Sequence, residues 1–320
     1  MNTLFLNLFL FLVFLFFLIK CAGYAITYSS RLAKTLRFPE FIVSFFIIAL
    51  ISVLPEATIS VISAFKGEPQ LALGTLLGSN VADLTLVFGI VALFSSKGIH
   101  VKSKILRNNF YYLILLLFPL LLGFDGRFSR IDGLLLILLG SLFFAKISVD
   151  SRRFYKKFNH PQKGSVFNSF SFLLLSLFLL LISAFFTVRF AMNFAYDVKL
   201  PVLLIGLTLV ALGTCLPELI FSIKAVRRNH DSLALGDILG TVITDATLIL
   251  GLVALISPFS YHPYSFYMTG TAMFLAGILL TFFMKSDKSI NKKEGILLIL
   301  FYLLFVFIEF FVHTFFGGIF

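Results

Sequence analysis

Ten apolar runs constrain the fold of this chain more than any other feature of its sequence. Nearly all are 18 residues or longer, the length that an α-helix needs to cross about 30 Å of hydrocarbon. The 320-residue chain is 59% hydrophobic, and its mean hydropathy is +1.03. The sequence therefore predicts an all-α integral membrane protein with ten transmembrane helices. The runs lie near residues 3–26, 40–65, 71–95, 108–124, 131–148, 166–194, 200–226, 233–257, 264–284 and 294–316.

Lysine and arginine concentrate in alternate gaps between these runs. If the N-terminus lies outside, 19 of them fall in or beside the five inner gaps, and the outer gaps hold only Lys66, Arg127, Arg130 and Lys199. Because basic residues are retained on the cytoplasmic side, this asymmetry predicts a multi-pass protein of the cell membrane with both termini extracytoplasmic. The net charge of +11 is therefore a topology signal and does not indicate a nucleic-acid partner.

The chain contains an internal duplication with an offset of 162 residues. Residues 49–60, ALISVLPEATIS, align with residues 211–222, ALGTCLPELIFS, and residues 71–95 align with residues 233–257 without a gap. In the second pair 14 of 25 positions are identical, and they include Asp, Gly and Thr as well as Leu and Val. Shared hydrophobicity explains matched Leu and Val but not matched polar residues, so the segments are copies of one unit.

The duplication divides the chain into two halves of five predicted helices. The first repeat covers residues 1–148, with its motif segment at 41–95, and the second covers residues 166–320, with its motif segment at 203–257. Residues 149–165 form a hydrophilic cytoplasmic linker. Because each half has an odd number of spans, the second copy enters the membrane from the opposite side. This pattern predicts inverted repeats with a binding site between them near the bilayer midplane.

Four predicted helices carry polar residues at four-residue spacing, which places them on one helix face. Each of these ridges includes at least one carboxylate, and no Lys or Arg lies at similar depth to neutralise it. An ionisable group at bilayer depth costs about 2.5–3.5 kcal/mol on insertion scales and commonly marks an ion path. We therefore expect a bound cation to be the counter-charge. The ridges are Ser52, Glu56 and Ser60; Thr214, Glu218 and Ser222; Thr75, Ser79 and Asp83; and Asp237, Thr241 and Asp245.

Some polar residues in these segments have alternative interpretations. Asp237 has a threonine as its equivalent in the first repeat, and a position nearer the membrane surface is an alternative for it. Ser60 and Ser222 are predicted to donate hydrogen bonds to carbonyl groups of their own helices. The same prediction applies to Thr85 and Thr247.

Glycines recur at the same four-residue spacing in the third and eighth runs. Gly74 and Gly78 lie in the third run, and Gly236 and Gly240 are their equivalents in the eighth. Small residues at this spacing allow membrane helices to approach closely. We therefore predict that opposed polar ridges meet at a common centre between the helices.

Pro55 and Pro217 supply ligands of another kind. A proline inside a helix removes one hydrogen bond and releases the carbonyl four residues earlier, here those of Ile51 and Gly213. A released carbonyl that faces a cavity can coordinate a cation. The ligands are hard oxygens, with no His among them and no role expected for Cys215, so they favour calcium, sodium or magnesium over zinc or copper. No cofactor is expected apart from transported ions.

These motifs resemble those of a known transporter superfamily. The segments SVLPE with GSNVAD, and GTCLPE with GTVITD, are similar to the two alpha repeats of the calcium/cation antiporter superfamily, especially its sodium/calcium exchanger branch. The resemblance covers the whole ten-span layout. It implies a central calcium site built by Glu56 and Glu218, with flanking sodium sites lined by hydroxyls and acids. The implied lining residues are Ser52, Thr214, Ser79, Thr241, Asp83 and Asp245.

The sequence departs from the family pattern at several positions. Ile51 and Ser52 stand where the family usually has Gly and Thr, and Asp83 stands where many exchangers have Asn. Thr75 and Asp237 also replace residues that are often Asn. Additional acids favour coupling to protons or a potassium site, so a proton/calcium or potassium-dependent exchanger is the alternative to sodium coupling.

Two other classes of protein also bury acids in the membrane. An intramembrane aspartyl protease uses a Gly-Asp motif, as in ALGD at residues 234–237, together with a second Asp on a neighbouring span. The seventh span offers Glu218 instead, and neither a protease nor a cation channel gives the inverted duplication a role. The sequence therefore predicts an antiporter, not an enzyme, that exchanges calcium for sodium. We expect inorganic cations and the lipid bilayer as its partners, and a monomeric state.

Overall fold

The computed structural model describes residues 2–35, 52–95, 98–100, 111–151, 166–200, 202–228, 230–261, 263–286 and 289–316. Ten helices lie within these residues and account for almost all of them. They are α1 Asn2–Thr35, α2 Leu54–Phe65, α3 Pro69–Phe94, α4 Tyr111–Leu122, α5 Arg130–Ser151, α6 Val166–Val198, α7 Val202–Arg227, α8 Asp231–Ile256, α9 Pro263–Ser286 and α10 Lys292–Phe316. Ile51, the rest of the first motif segment at 41–50, and residues 152–165 of the predicted linker lie outside the described residues.

Seven of the described helices are long and apolar enough to cross a membrane, namely α1, α3, α6, α7, α8, α9 and α10. Two shorter apolar helices, α2 and α4, lie where the sequence predicts the second and fourth spans. The predicted helical, multi-pass membrane architecture is therefore confirmed. The number of ten spans and the inverted relation between the halves remain predictions.

Helices α1 and α6 form a pair at the edge of the molecule, packed together along much of their length. Phe14 stacks between them on Phe186, with ring centroids 4.6 Å apart, and on Phe190 at 5.7 Å. Most of the apolar surface of both helices points away from the protein. The pair touches the remaining helices through an apolar cluster that includes Phe11 and Val188. It is thus a two-helix unit with an apolar inner face and an apolar outer surface suited to lipid.

Helices α3 and α8 form the centre of the molecule. In each of them 83% of the apolar membrane-spanning stretch is buried inside the protein, whereas the value for α1 is 22%. Helix α3 lies directly on the backbone of α7, because a Cβ added at Gly78 would be 2.5 Å from the Leu207 carbonyl oxygen. A Cβ at Gly206 would likewise be 2.7 Å from the Leu71 carbonyl oxygen. The close approach predicted from the glycines of the third run is therefore confirmed for α3 and α7.

Two further glycine contacts join the halves of the chain in matching ways. A Cβ at Gly89 of α3 would lie 2.6 Å from the Gly295 carbonyl oxygen of α10. A Cβ at Gly251 of α8 would lie 2.7 Å from the Gly133 carbonyl oxygen of α5. The same offset of 162 relates Gly89 to Gly251 and Gly133 to Gly295. Each central helix is therefore buttressed by the last helix of the opposite half.

Four short strands tie the loops together in two antiparallel pairs. Strand β1, Ile99–His100, pairs with β4, Ser289–Ile290, and β2, Arg127–Phe128, pairs with β3, Phe259–Ser260. The first pair joins the α3–α4 loop to the α9–α10 loop, and the second joins the α4–α5 loop to the α8–α9 loop. Each pair connects loops for which the basic residues predict the same side of the membrane.

Candidate functional site

The helical pattern is interrupted at two equivalent positions beside the central pair, one just before α2 and one within α7. Val53, just before α2, and Cys215, within α7, have ψ angles of −9° and −7° in place of about −42° in a regular helix. The proline two residues later explains each interruption, because it cannot donate a backbone hydrogen bond. Glu56 and Glu218 thereby fall in the first turn of the helical segment that follows. The positive end of each segment then faces a carboxylate.

The central helices α3 and α8 each contain one π-helical turn, at Asp83–Val87 and Asp245–Ile249. The Phe88 amide donates to the Asp83 carbonyl, and the Leu250 amide donates to the Asp245 carbonyl, each five residues back. Such turns are rare and are frequent at functional sites. Both begin at an acid that the sequence identified as a candidate ligand.

All twelve side chains of the four predicted ridges are completely buried. They come from α2 and the residues just before it, from α3, from α7 and from α8. Asp237, for which the sequence left a position nearer the membrane surface open, is buried as completely as the other eleven. The structure thus gathers the predicted ridges inside the protein rather than leaving any of them towards lipid.

Hydrogen bonds connect the ridges across helices. The Ser52 hydroxyl donates to Asp237 Oδ1 at 2.8 Å and lies 3.0 Å from the Thr241 hydroxyl. The Ser79 hydroxyl lies 3.3 Å from Asp245 Oδ2. Residues near the start of α2 and residues of α3 therefore both contact α8, and each contact pairs a hydroxyl with a carboxylate. Mixed oxygen groups of this kind suit hard cations.

The carboxylates of this centre are largely without partners. Both oxygens of Glu56, Glu218 and Asp83 lack a hydrogen bond of normal geometry within the described residues, as does one oxygen each of Asp237 and Asp245. None of the five forms an ion pair with a described Lys or Arg. The five acids lie close enough to repel one another. Buried acids in this state require a bound cation or proton.

The hydroxyl groups of the motifs divide into two kinds. Thr85 and Thr247 donate to carbonyls four residues back in their own helices, at 2.5 and 2.6 Å, as predicted. Ser60 and Ser222 make no such bond and have no partner within the described residues, so the prediction for them is wrong. These two equivalent hydroxyls are free to serve as additional oxygen ligands. Both follow a motif glutamate by four residues on the same helix face.

Two buried polar residues, one beside Asp83 and one next to Ser79 in the sequence, were not selected as ligands. Cys215 was expected to take no part, yet its sulfur lies 3.6 Å from the Ser79 carbonyl oxygen and next to the Asp83 carboxylate. Asn80 is fully buried, with its Nδ2 3.6 Å from Met273 Sδ and its Oδ1 without a described partner. The four-residue spacing of acids gave no signal for either residue, because neither lies in that register.

The remaining predicted ligands are backbone carbonyls. Gly213 is buried in α7, where an added Cβ would be 2.5 Å from the side chain of Leu15 in α1. Pro217 leaves its carbonyl without the amide that a non-proline residue would supply. Ile51, its equivalent in the first repeat, lies outside the described residues. Thr214 is buried beside Glu56 and donates to the Ala211 carbonyl at 3.1 Å.

The geometry limits how the centre can hold an ion. Within the described ranges, no three His, Cys, Asp or Glu side chains are close enough to ligate one metal ion together. A cation here would take one or two carboxylates and complete its shell with hydroxyl and carbonyl oxygens. Calcium and sodium accept such oxygen sets. Carboxylates spread over four helices are also suited to several ions in adjacent positions.

These features define a multi-pass helical membrane protein with a buried acidic centre open to cation binding. The sodium/calcium exchanger protein family matches residues 6–145 and 168–311, which is most of the chain and includes every described site residue. The protein belongs to this family of membrane exchangers, which are not enzymes. The superfamily resemblance of the two motif segments is thereby confirmed.

Similar proteins come from archaea and bacteria. The sodium/calcium exchanger MaX1 of Methanosarcina acetivorans is 26% identical, over 96% of this chain and 99% of its own length. The inner membrane protein YrbG of Escherichia coli is 30% identical, over 78% of this chain and 80% of its own. A solved structure of the sodium-calcium exchanger NCX_Mj, soaked with Na⁺ and Sr²⁺, superimposes with a TM-score of 0.69 at 26% identity. That likeness covers 94% of this chain and 98% of the other.

Proposed function

We propose that this protein is a secondary active antiporter that exchanges calcium for sodium across the membrane. The observation that carries the proposal is the buried centre, in which five carboxylates have free oxygens and no basic partner among the described residues. Such a centre is costly to empty, because like charges in a low dielectric repel strongly. One cation can leave only if other cations or protons replace it. Obligatory replacement couples the exit of one ion to the entry of another, which is antiport.

The proposed ion positions follow from the pairing of ligands. Calcium is placed centrally, between Glu56 and Glu218, and sodium ions are placed where Ser52 meets Asp237 and where Ser79 meets Asp245. Because these acids repel one another, a cation bound at one position lowers the affinity of the neighbouring position for a second cation. Calcium and sodium therefore compete without sharing every ligand. Both are cargo, and no resident cofactor enters the proposal.

The α1–α6 pair is the proposed moving part of alternating access. It contributes no acid to the centre, and its inner face meets the other helices through apolar side chains. The hydrogen bonds that cross this interface in the described structure, from Tyr196 to Glu68 and from Lys66 to the Phe185 carbonyl, are exposed, so few buried polar contacts must break when one surface slides over the other. The stacked rings of Phe14, Phe186 and Phe190 hold the pair together as one body. Ion occupancy of the centre would set which position of the pair is favoured.

The two halves are proposed to be inverted repeats with both termini extracytoplasmic. Strands β1 and β4 pair at one end of α9, and β2 and β3 pair at its other end. The offset of 162 relates β2 to β4, so equivalent loops lie at opposite ends of α9. That arrangement supports a relation in which one half is turned over relative to the other. The reciprocal glycine contacts of α3 with α10 and α8 with α5 support it as well.

Transport in proteoliposomes tests the coupling ion. Purified protein should take up calcium when sodium is high inside the vesicles and absent outside, at matched pH. A pH gradient of either direction, without sodium, should drive no uptake beyond that of protein-free vesicles. Uptake driven only by the pH gradient would replace sodium with protons, and uptake that also needs potassium would make the exchanger potassium-dependent. No uptake under any gradient would reject the proposed function.

Ser52→Ala tests the flanking ligand set. The substitution removes the hydroxyl donor of Asp237 Oδ1 and a potential sodium or calcium ligand. A hydrogen bond to a charged group contributes about 1.5–3 kcal/mol, so the calcium concentration for half-maximal uptake should rise about tenfold or more. Ser63→Ala is the matched control, because Ser63 is equally buried but donates to the Ile59 carbonyl of its own helix at 2.7 Å. Equal kinetics in the two variants would remove Ser52 from the site.

A further inference from the structure

Cys215 places sulfur inside a centre that is otherwise built of oxygen. It occupies the interruption of α7 and is 3% exposed. Its Sγ lies 3.6 Å from the Ser79 carbonyl oxygen of α3 and beside the carboxyl group of Asp83. The carboxylates of Glu56 and Glu218 are also close enough to interact with it electrostatically. The thiol therefore lies beside one acid, Asp83, and within electrostatic range of two more, and the three acids belong to three different helices.

Those three acids point to a ligand at this place. Both carboxylate oxygens of Asp83, Glu56 and Glu218 are buried without a hydrogen-bond partner in the described part of the chain. A purely structural cysteine is commonly packed among apolar groups, as a small hydrophobe. Cys215 instead adjoins unsatisfied anionic groups, where a cation could bind to oxygen and sulfur at once. Sulfur ligands select soft ions, whereas oxygen ligands alone favour hard ones.

We propose that Cys215 and Asp83 form a mixed sulfur–oxygen position for soft divalent cations, with Cd²⁺ as the representative ion. The Ser79 carbonyl provides a further oxygen, and Glu56 and Glu218 supply nearby negative charge. When the Cd–S bond forms, the thiol proton passes to solvent and the sulfur electron pair is donated to the metal, with no oxidation. The inference rests on the proposed function in one respect, because the ion reaches this buried position by the path proposed for calcium.

The position is confined to one half of the chain. The residue equivalent to Cys215 in the first repeat is Val53, which has no ligand atom in its side chain. The two interruptions have the same backbone shape but different chemistry. A soft ion would therefore bind on the α7 side of the centre and compete there with calcium and sodium. Specificity for soft ions in this protein thus depends on a single side chain.

Cys21 provides a matched control. It is also a free and buried cysteine, but it lies in an apolar cluster between α1 and α6 with Ala22 and Leu180. The polar group beside its sulfur in the described structure is the hydroxyl of Ser183, not a carboxylate. A probe that reacts with any buried thiol would act on both cysteines. A cation site at Cys215 instead predicts an effect that depends on Cys215 and not on Cys21, because only Cys215 lies near carboxylates.

The test uses Cd²⁺ on the purified full-length chain in detergent. Thiolate-to-cadmium charge transfer gives an ultraviolet absorption band, which we expect in the wild type and Cys21→Ser but not in Cys215→Ser or Cys215→Ala. Size-exclusion profiles identify variants that fail to fold, and Asp83→Asn should weaken Cd²⁺ binding at least tenfold while the thiol remains. A band retained in both Cys215 variants, or absent from the wild type, overturns the proposal.

A transport measurement separates this inference from the proposed function. In proteoliposomes, the Cd²⁺ concentration that halves calcium uptake should rise at least tenfold in Cys215→Ser relative to Cys21→Ser. Unchanged inhibition in Cys215→Ser overturns the role of the thiol. The absorption band does not depend on transport, so a Cys215-dependent band in a protein that moves no calcium supports the soft-ion position while rejecting the antiporter.

Discussion

Glu56→Gln and Glu218→Gln are each expected to abolish calcium uptake. Glutamine keeps the size of the side chain but removes its negative charge, and both glutamates are fully buried with all four oxygens unpartnered in the described structure. Removing one member of a buried charge pair costs about 3–5 kcal/mol, here the attraction between carboxylate and ion. Calcium affinity should fall by roughly 100-fold or more. Uptake of radioactive calcium under a sodium gradient provides the measurement.

Glu309→Gln is the matched control for these variants. Glu309 is 4% exposed and has one oxygen without a described partner, so it is also a buried glutamate in a membrane helix. It lies on α10, outside the four helices that form the acidic centre. Its replacement should leave calcium uptake close to that of the wild type. Full activity in Glu56→Gln and Glu218→Gln, or equal losses in all three variants, would contradict the assigned site.

Gly78→Ala is expected to destabilise the protein severely for so small a change. The added Cβ would lie 2.5 Å from the Leu207 carbonyl oxygen and 2.7 Å from the Leu207 Cα, both backbone atoms that cannot turn aside. Separating α3 from α7 would also loosen the contact of Cys215 with the Ser79 carbonyl. Overpacking of this kind costs about 1–3 kcal/mol. The apparent melting temperature of purified protein should fall by several degrees.

Gly23→Ala gives the opposite expectation for the same substitution. Gly23 lies inside α1, and among the described residues no atom beyond its own stretch of helix lies within 4 Å of a Cβ added there. Alanine in a helix interior is favoured over glycine by about 0.5–1 kcal/mol, so this variant should melt at or slightly above the wild-type temperature. Equal melting temperatures for Gly78→Ala and Gly23→Ala would contradict the close contact of α3 with α7.

Much of the centre was predictable because the sequence carries it twice. The offset of 162 identified Glu56 with Glu218 and Asp83 with Asp245. Four-residue spacing then placed serines and threonines on the same helix faces, and the structure buries every one of them. The interruptions before Pro55 and Pro217 followed from the missing amide of proline. These are local effects, which depend on residues a few positions apart.

The features that escaped prediction depend on contacts between helices. Spacing of acids does not reveal the π-helical turns that begin at Asp83 and Asp245. Asp237 was a predicted ligand, but its hydrogen bond with Ser52, which lies 185 residues earlier in the chain, was not predictable from spacing. Cys215 was given no role among the predicted oxygen ligands. Its contact with the Ser79 carbonyl appears only when α7 lies against α3.

Equilibrium calcium binding at varied sodium concentration tests the central claim most directly. Purified protein is titrated with calcium while sodium chloride replaces choline chloride at constant ionic strength. The proposed site predicts that sodium displaces calcium, with more than one sodium needed for each calcium because a divalent charge must be replaced. The Glu56→Gln and Glu218→Gln variants should bind little calcium at any sodium concentration. Calcium binding that is unaffected by sodium, or that persists in both variants, would contradict competition of the two ions at this acidic centre.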